Sequence, residues 1–385
     1  MRVIFEPDRG QRVPIRLWAR ATAPETIRQL QRLASQPYVV EHVAGMADAH
    51  LSEGVAVGTV FATEHTLVPR ALGGDLGCGM SATRVGIEAG IFGRKTLQDL
   101  LVTLERAIPT GDATHRGRGV DVPDAVLSPR LSTHALERAR ERLACRHLGT
   151  LGGGNHFLEL DRDAENGLWL LVHSGSRGLG AAVAEHHARA AKASESQLLA
   201  TLDADTDEGR AYFDDVSWAL DFARANRRAL ARRALEVVSD VLGDAPDCTE
   251  DVDVHHNFVA RERWYGRDLI VHRKGAVAVP NGTLSLIPGS MGTASYIVEG
   301  LGSDDAFGSC SHGAGRVMSR REARAAIRPD TLAHHMRRIA YPEHLSRHLV
   351  EEAPAAYRDI CEVLDDQEDL VRRCIRLEPI AVLKG

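Results

Sequence analysis

The sequence predicts an α+β fold, formed by one large domain over 1–385 with a mixed-sheet core flanked by helices. Segments typical of strands and of helices follow one another along the 385 residues without a regular β-α-β repeat, which favours this class over a doubly wound parallel sheet. Hydrophobic residues make up 44% and charged residues 26% of the chain, as in globular proteins with an ample core. Because glycine-rich turns adjoin several strand-like segments, we expect the functional site to be built from these loops and strand ends.

In the first half of the chain, apolar residues recur with the period of a helix in three segments: 23–34, 96–107 and 133–145. Alternating and continuous apolar runs predict three strands, the last of which leads into His173: 55–62, 81–85 and 168–172. Two glycine-rich turns separate these elements, at 73–80 and 149–159. The polar segment 111–130, which includes Arg116 and Arg118, is typical of a mobile loop.

In the second half, the helical period returns in four segments: 179–199, 211–242, 332–340 and 355–377. Short apolar runs rich in β-branched residues predict three strands: 252–259, 269–272 and 275–279. A third glycine-rich turn lies at 288–293. No internal repeat and no linker divides the chain, so we treat it as one domain.

Composition narrows the class of function. The formal net charge is −6, so a nucleic-acid site would have to be a local basic patch. The six cysteines show no CxxC spacing, which argues against a disulfide framework and favours a reducing cytoplasm. No run of eighteen apolar residues and no signal-peptide pattern occurs, so we expect no membrane partner.

The segment FGSCSHGAGR, 307–316, places a single histidine among small residues. With no bulky neighbour, His312 is open to a large ligand, and Arg316 offers a planar fork for phosphate. These residues indicate a nucleophile or acid/base that meets a phosphate. A glycine-rich turn with an incidental histidine explains the same letters equally well.

A second pattern joins cysteine, histidine and aspartate at glycine-lined turns and strand ends. The residues are Asp75, Cys78, His156, His173 and either His255 or His256, since adjacent strand residues point to opposite faces. Zn²⁺, Mn²⁺ and Co²⁺ accept such a sulfur, nitrogen and oxygen mixture, and a thiolate can bridge two ions. Taken singly, each residue is more simply a buried cysteine or a structural histidine.

Together these residues resemble the RtcB-type RNA ligases. The matching stretches run in family order along the chain: DLGCGM (75–80), HLGTLGGGNHFLEL (147–160), HSGSRGLG (173–180), HHNFV (255–259), RKGA (273–276), PGSMGTASYIV (288–298), SCSHGAGRVMSR (309–320), EEAPAAYRDI (351–360) and LKG (383–385). The resemblance implies the RtcB-like fold. It also implies a GTP- and Mn²⁺-dependent ligase that joins RNA 3′-phosphate or 2′,3′-cyclic phosphate ends to 5′-hydroxyl ends.

Family chemistry implies a role for each matched residue. His312 resembles the nucleophile that carries GMP, and two Mn²⁺ ions would share Cys78. One ion would also be held by Asp75 and His156, and the other by His173 and His256. The implied GTP-binding positions are Asn155, His156, Phe157, Leu158, Glu159, His256, Asn257, Pro288, Gly289, Ser290, Met291, Ser295, His312, Gly313, Ala314, Gly315, Tyr357 and Lys384. Candidates for RNA phosphates are Arg177, Arg316 and Arg320.

The sequence departs from the family pattern at Ala47, Ser52 and Gly74, none of which is an implied ligand. The natural RNA therefore stays open between tRNA halves and damaged RNA, as does the need for an archease-type activator. A metal-dependent phosphohydrolase is the alternative enzyme, but it would not need SHGAGR, PGSMGT or Lys384. A catalytically inactive RNA-binding protein would not need the intact set of ligands and nucleophile.

Overall fold

A computed structural model describes residues 1–117, 119–192 and 198–385. Its strands in chain order are β1 (Arg2–Ile4), β2 (Ile15–Leu17), β3 (Val40–His50), β4 (Val57–Thr63), β5 (Thr66–Leu67), β6 (Gly79–Glu88), β7 (Phe157–Arg162), β8 (Gly167–Ser174), β9 (Leu202–Asp203), β10 (Cys248–His255), β11 (Asn257–Trp264), β12 (Arg267–Lys274), β13 (Ala276–Ala278), β14 (Leu284–Ile287), β15 (Ser295–Gly300), β16 (Ser309–Ser311) and β17 (Val371–Lys384). Its α-helices are α1 (Pro24–Ala34), α2 (Arg94–Ala107), α3 (Asp124–Leu127), α4 (His134–His147), α5 (Arg177–Ala190), α6 (Asp207–Leu242), α7 (Arg320–Ala326), α8 (Pro329–His335), α9 (Ser346–Leu349) and α10 (Ile360–Asp365).

Two large sheets organise the molecule. One has the strand order β1-β2-β3-β4-β12-β11 and is mixed, because β2 and β3 run parallel while the other neighbours are antiparallel. The other has the order β10-β6-β8-β7-β17-β15-β14 and is antiparallel throughout. The α+β class with mixed-sheet architecture and flanking helices, predicted from the sequence, is confirmed.

The helix α6 supports the centre of the seven-stranded sheet. Thr206 caps its first turn by accepting from the Gly209 N–H, and Gly243 ends it in the left-handed conformation. One stretch of its buried face, including Leu230 and Val237, shares a core with Leu170 and Val172 of β8. Strand β8 is apolar and almost wholly buried, so it holds His173, near its end, in a fixed position.

The helix predicted over 355–377 is wrong. The chain there forms the short helix α10 and then the long strand β17, which lies between β7 and β15 in the sheet. Residues of β17 pair with strands on both sides, and this pairing overrides a local helical spacing. The correction matters for function because β17 carries Lys384.

The strand predicted over 252–259 is interrupted. Strand β10 ends at His255 and β11 begins at Asn257, so His256 stands at the break between them. The side chain of His255 turns to the Gly77 carbonyl, with Nδ1 3.0 Å from that oxygen. His256 faces the cavity instead.

Other boundaries move by smaller amounts. The helix predicted at 332–340 is α8, Pro329–His335, and the segment 111–130 contains α3. The helix predicted at 179–199 ends at Ala190; Arg118 and residues 193–197 lie outside the described residues. None of the described helices combines the length and apolar character needed to cross a bilayer.

Candidate active site

A cavity of about 1890 Å³ is lined by residues from both large sheets. Pockets for single small ligands have volumes of roughly 300–1000 Å³, so this cavity has room for more than one mononucleotide. The residues singled out from the sequence that line it are Asp75, Cys78, Asn155, Phe157, Glu159, His173, His256, Asn257, Pro288, Gly289, Ser290, Met291, His312, Gly313, Ala314, Gly315, Arg316, Arg320, Tyr357 and Lys384.

Three buried donor atoms meet at the floor of the cavity. The Cys78 Sγ atom lies 3.3 Å from the Nε2 atom of His173, and that nitrogen lies 3.1 Å from the Nε2 atom of His256. The His256 N–H donates to the Cys78 carbonyl at 2.9 Å, which fixes the two segments against each other. Burial lowers the pKa of both imidazoles well below the ordinary value, so both rings are neutral and can offer lone pairs.

A second group of donors shares the same cysteine. The His156 Nε2 atom lies 3.4 Å from Cys78 Sγ and 3.3 Å from the Asp75 Oδ2 atom. The Nδ1 atom of His156 lies 2.8 Å from the Leu151 carbonyl. A carbonyl only accepts, so Nδ1 carries the hydrogen and Nε2 keeps its lone pair for a ligand.

Both groups fit a divalent metal. Ligands at about 2.0–2.3 Å from one ion lie roughly 3–3.7 Å from one another, which matches these separations. Burial, with a further contribution from Asp75, raises the pKa of the Cys78 thiol well above its ordinary value. A thiolate at this position therefore needs a bound cation to stabilise it.

His312 follows β16 directly and lies beside this cluster. Its ring centroid is 4.8 Å from that of His256. Its Nδ1 atom lies 2.7 Å from the Oδ2 atom of Asp48, a fully buried residue of β3. Nδ1 lies against this carboxylate without hydrogen-bond geometry, and Nε2 is the nitrogen left for a reaction.

The glycines around His312 have a steric reason. A Cβ atom on Gly315 would lie 2.7 Å from the Asp48 carbonyl oxygen, and its φ of +71° is unfavourable for other residues. A Cβ atom on Gly275 would lie 2.2 Å from a methyl of Val57 and 3.3 Å from Cε1 of His312. Both glycines allow the backbone to pack closely on the histidine and its partner.

Aromatic and charged side chains line another part of the cavity. Glu159 and Phe157 project from β7, and the Lys384 Nζ atom lies 5.5 Å from the centre of the Phe157 ring. Lys384 donates to the Asn155 carbonyl at 3.2 Å. Burial and the neighbouring Asp161 raise the pKa of Glu159 well above its ordinary value, while Lys384 acts to lower it.

The turn at 288–293 uses part of its own hydrogen-bonding capacity. The Ser290 N–H donates to the Thr293 hydroxyl at 2.7 Å, and the Gly289 N–H donates to the Ser295 hydroxyl at 3.4 Å. These two N–H groups, which belong to implied GTP-binding residues, are thus engaged inside the turn. Ser295 supports the turn from β15 and does not line the cavity.

Leu158 and Arg177 lie outside the lining as well. Leu158 alternates with Phe157 and Glu159 on β7, and its side chain is buried in the core on the other side of the sheet. Arg177 has a φ of +56° and directs its guanidinium over Gly152. Its Nη1 atom lies 3.4 Å from Nδ1 of His156, so Arg177 contacts a candidate ligand from behind.

The other two arginines, Arg316 and Arg320, differ in how far their guanidinium groups are engaged within the protein. Arg316 donates to the Met318 and Glu351 carbonyls and to the Glu352 carboxylate and the Tyr357 hydroxyl, at 2.5–3.1 Å. Its donors are occupied within the protein. The side chain of Arg320 is 43% exposed, and its contacts with Glu352 at 3.4 Å and with Glu351 at 3.7 Å are long, so its guanidinium remains accessible from the cavity.

Sequence reasoning missed three acidic residues. Asp48 contacts His312, Glu352 contacts Tyr357 and Lys384, and Asp161 lies fully buried behind Glu159. Asp48 could have been noticed, because it is an aspartate within a largely apolar, alanine-rich stretch of β3. Glu352 is adjacent to Glu351, and the sequence alone does not show which of the two carboxylates is buried.

Comparison with known proteins identifies the family. The family model described as tRNA-splicing ligase RtcB matches residues 29–138 and 121–385. The RNA-splicing ligase RtcB of Escherichia coli K12 is 35% identical over 404 residues, which cover 97% of this chain and 98% of that protein. The RNA-splicing ligase RtcB of Mycobacterium tuberculosis is 30% identical, with 93% and 100% covered. The tRNA-splicing ligase RtcB of Thermococcus kodakarensis is 29% identical, with 98% and 96% covered. The chain therefore belongs to the RtcB family.

Proposed function

We propose that this protein is a GTP- and Mn²⁺-dependent RNA ligase in which His312 carries GMP covalently. It would join RNA 3′-phosphate or 2′,3′-cyclic phosphate ends to 5′-hydroxyl ends. The observation that carries the proposal is the placement of His312, with Nδ1 on Asp48 and the ring 4.8 Å from His256 at the edge of the donor cluster. The relatives are named as RNA-splicing and tRNA-splicing ligases, which supports the reaction class.

In the first step, the Nε2 atom of His312 attacks the α-phosphorus of GTP. A nitrogen–phosphorus bond forms, the bond from that phosphorus to the bridging oxygen breaks, and pyrophosphate leaves. Asp48 holds the ring in one orientation and stabilises the positive charge that develops on the imidazole. The small residues Gly313, Ala314 and Gly315 leave room for the nucleotide against the ring.

The residues that would hold two Mn²⁺ ions are the two groups that share Cys78. Asp75 and His156 complete one group, and His173 and His256 complete the other. When bound, the ions would neutralise phosphate charge and stabilise the displacement at phosphorus. Cys78 would be present as a thiolate, and the neutral Nε2 atoms of the histidines would complete each site.

The later steps return His312 to its free form. An oxygen of the RNA 3′-phosphate attacks the phosphorus on His312, and the nitrogen–phosphorus bond breaks as GMP moves to the RNA end. A 5′-hydroxyl then attacks the 3′-phosphate, loses its proton and displaces GMP, which leaves a phosphodiester. A cyclic phosphate would first be opened by water. Arg320 is the residue best placed to bind an RNA phosphate near this end.

The chain carries a formal net charge of −6, so it has no general attraction for RNA. We therefore propose that it recognises the broken ends within the cavity, more than the body of a tRNA. Tyr357, Phe157, Glu159 and Lys384 would bind the guanine, with the Glu159 carboxylate accepting from its N–H groups. An adenine lacks that pattern of donors, which favours GTP over ATP.

The test is incubation with α-labelled GTP and Mn²⁺, followed by denaturing electrophoresis. We expect wild type to retain a covalent label that is acid-labile, as for a phosphoramidate, and His312→Ala to retain none. A 3′-phosphate RNA added to the labelled protein should remove the label. Absence of label in metal-loaded wild type would contradict the proposal, as would undiminished label in His312→Ala.

A further inference from the structure

A buried carboxylate that the sequence did not single out, Glu352, lines the cavity beside the proposed guanine site. The side chain of Glu352 is 3% exposed. Its Oε2 atom accepts from the Tyr357 hydroxyl at 2.5 Å and lies 3.3 Å from the Lys384 Nζ atom. Its Oε1 atom accepts from Arg316 at 3.1 Å, so one carboxylate holds three side chains of the cavity wall.

These partners come from separate parts of the fold. Arg316 follows the segment that carries His312, Tyr357 follows the 3-10 helix Pro354–Ala356, and Lys384 ends β17. Arg316 also lies over the Tyr357 ring, 4.8 Å from its centre. The position of the tyrosine ring is therefore set by contacts that converge on Glu352.

We propose that Glu352 is a positioning residue that assembles the guanine-binding wall by holding Tyr357 and Lys384 in their binding orientations. The inference deepens the proposed function and rests on it. Because its oxygens are engaged by Arg316, Tyr357 and Lys384, Glu352 would act through the tyrosine ring and the lysine ammonium.

The charge balance explains why a carboxylate is needed here. Arg316 and Lys384 are both cationic, and without Glu352 they would face each other across a buried space. Burial by itself would raise the pKa of Glu352, but Lys384, Tyr357 and Arg316 outweigh it and the pKa is lowered. The ionised form satisfies the phenol and both cations at once, which a neutral amide cannot do.

The chain offers a matched control in the adjacent glutamate. The side chain of Glu351 pairs with Arg320 and Arg324 and does not reach Tyr357 or Lys384 in the described contacts. Glu351→Gln and Glu352→Gln remove the same charge one residue apart. Each would be assayed for self-guanylylation with α-labelled GTP and Mn²⁺, without RNA, and for thermal unfolding.

We expect Glu352→Gln to raise the KM for GTP, here the concentration that gives half the maximal labelling rate, on the order of tenfold. The change in kcat, here the maximal labelling rate itself, should be much smaller. Glu351→Gln should match wild type in both constants. Glu352→Gln should also discriminate less well between GTP and ATP, because Tyr357 and Lys384 would be held less firmly in the guanine-binding wall. A general structural defect would instead lower the amount of active protein and leave the KM unchanged.

A double-mutant cycle tests whether the effect passes through the tyrosine. Tyr357→Phe removes the hydroxyl contact and keeps the ring, so it should raise the KM in the same direction. If Glu352 acts through that contact, the double variant should show less than the sum of the two single effects in free energy. If Glu352→Gln does not fold, Tyr357→Phe decides alone, and an unchanged KM would overturn the proposal.

The outcomes separate this inference from the proposed function. If wild type takes no label from GTP, the ligase proposal fails whatever Glu352 does. If wild type is labelled and Glu352→Gln has the same KM as Glu351→Gln, only the positioning role fails. A fall in kcat at constant KM would also overturn it, since that result would place Glu352 in the chemical step.

Discussion

The Nδ1 atom of His312 lies 2.7 Å from the Oδ2 atom of Asp48, and the backbone N–H of His312 donates to the same oxygen at 3.2 Å. One buried carboxylate oxygen thus contacts both the ring and the main chain of the proposed nucleophile. Asp48 is itself positioned by β3 and by the Ser311 hydroxyl, which lies 3.2 Å from its backbone nitrogen. The orientation of the imidazole is therefore determined by the sheet and not by the loop alone.

Asp48→Ala should slow self-guanylylation by roughly 10²–10⁴-fold, because the ring loses its fixed orientation and the partner for its positive charge. The measurement is the single-turnover rate of label transfer from α-labelled GTP at saturating nucleotide. Asp48→Asn keeps the shape and removes the charge, so its rate should fall between those of wild type and Asp48→Ala. A rate equal to wild type in Asp48→Ala would show that the contact has no catalytic role.

Cys78→Ala should abolish the binding of both metal ions, because its sulfur belongs to both donor groups. His156→Ala and His173→Ala should each weaken one site and leave metal at the other. Metal content after dialysis against Mn²⁺, measured by mass spectrometry, distinguishes these outcomes without any activity assay. Equal metal content in Cys78→Ala and His156→Ala would argue against a shared sulfur ligand.

Arg320→Met should weaken the binding of 3′-phosphate RNA and reduce its dependence on salt, while self-guanylylation stays within about threefold of wild type. Arg324 is the control, because it lies on the same helix and pairs with Glu351 but does not line the cavity. Fluorescence anisotropy of a short labelled RNA at two salt concentrations gives the comparison. Equal losses in Arg320→Met and Arg324→Met would point to general charge and not to a defined contact.

Asp161→Asn should alter the pH dependence of stability. Burial raises the pKa of Asp161 well above its ordinary value, and neither of its oxygens has a hydrogen-bond partner. At pH values between the pKa of the unfolded state and that of the folded state, the folded protein therefore retains a proton that the unfolded chain has lost. The free energy of unfolding falls as the pH rises through this range. Asp161→Asn has no carboxyl group at this position, so it does not lose stability in this way.

We expect the free energy of unfolding of Asp161→Asn, relative to wild type, to increase by about 1 kcal/mol or more between about pH 5 and about pH 8. Urea unfolding at both pH values measures the difference. Glu165→Gln serves as the control, because this carboxylate lies on the same hairpin and its side chain is 86% exposed. A relative stability that is the same at both pH values would show that Asp161 is ionised in the folded protein.

Local pattern was sufficient for much of the fold. The apolar run of β8 and the amphipathic α6 were predictable because each satisfies its own periodicity and is buried as that periodicity requires. Strand β17 was not predictable, because its neighbours β7 and β15 are distant in sequence and their pairing decides its conformation. The break at His256 was missed for a related reason. The strands on either side of it belong to different sheets, β10 to the seven-stranded sheet and β11 to the six-stranded sheet.

The residues of the candidate site also fall into those that the local sequence indicates and those that it does not. Cys78, His156 and His312 were identifiable because their residue types and glycine-rich surroundings point to chemistry. Glu352 and Asp48 were missed, since their importance comes from contacts with residues far along the chain. Arg316 was singled out for its position beside the glycines, and the structure engages four of its five N–H donors with Glu352, Tyr357 and two carbonyls.

The central position of β17 has a consequence for the order of folding. The seven-stranded sheet cannot close until β17 enters between β7 and β15, and those strands are contributed by residues 157–162 and 295–300. Such long-range pairing forms slowly compared with local hairpins. Because Lys384 arrives with that strand, an intermediate without it would lack one wall of the cavity. Hydrogen exchange during refolding should therefore show the β7 amides that face β17 becoming protected at the same stage as β17, whereas those that face β8 can be protected earlier.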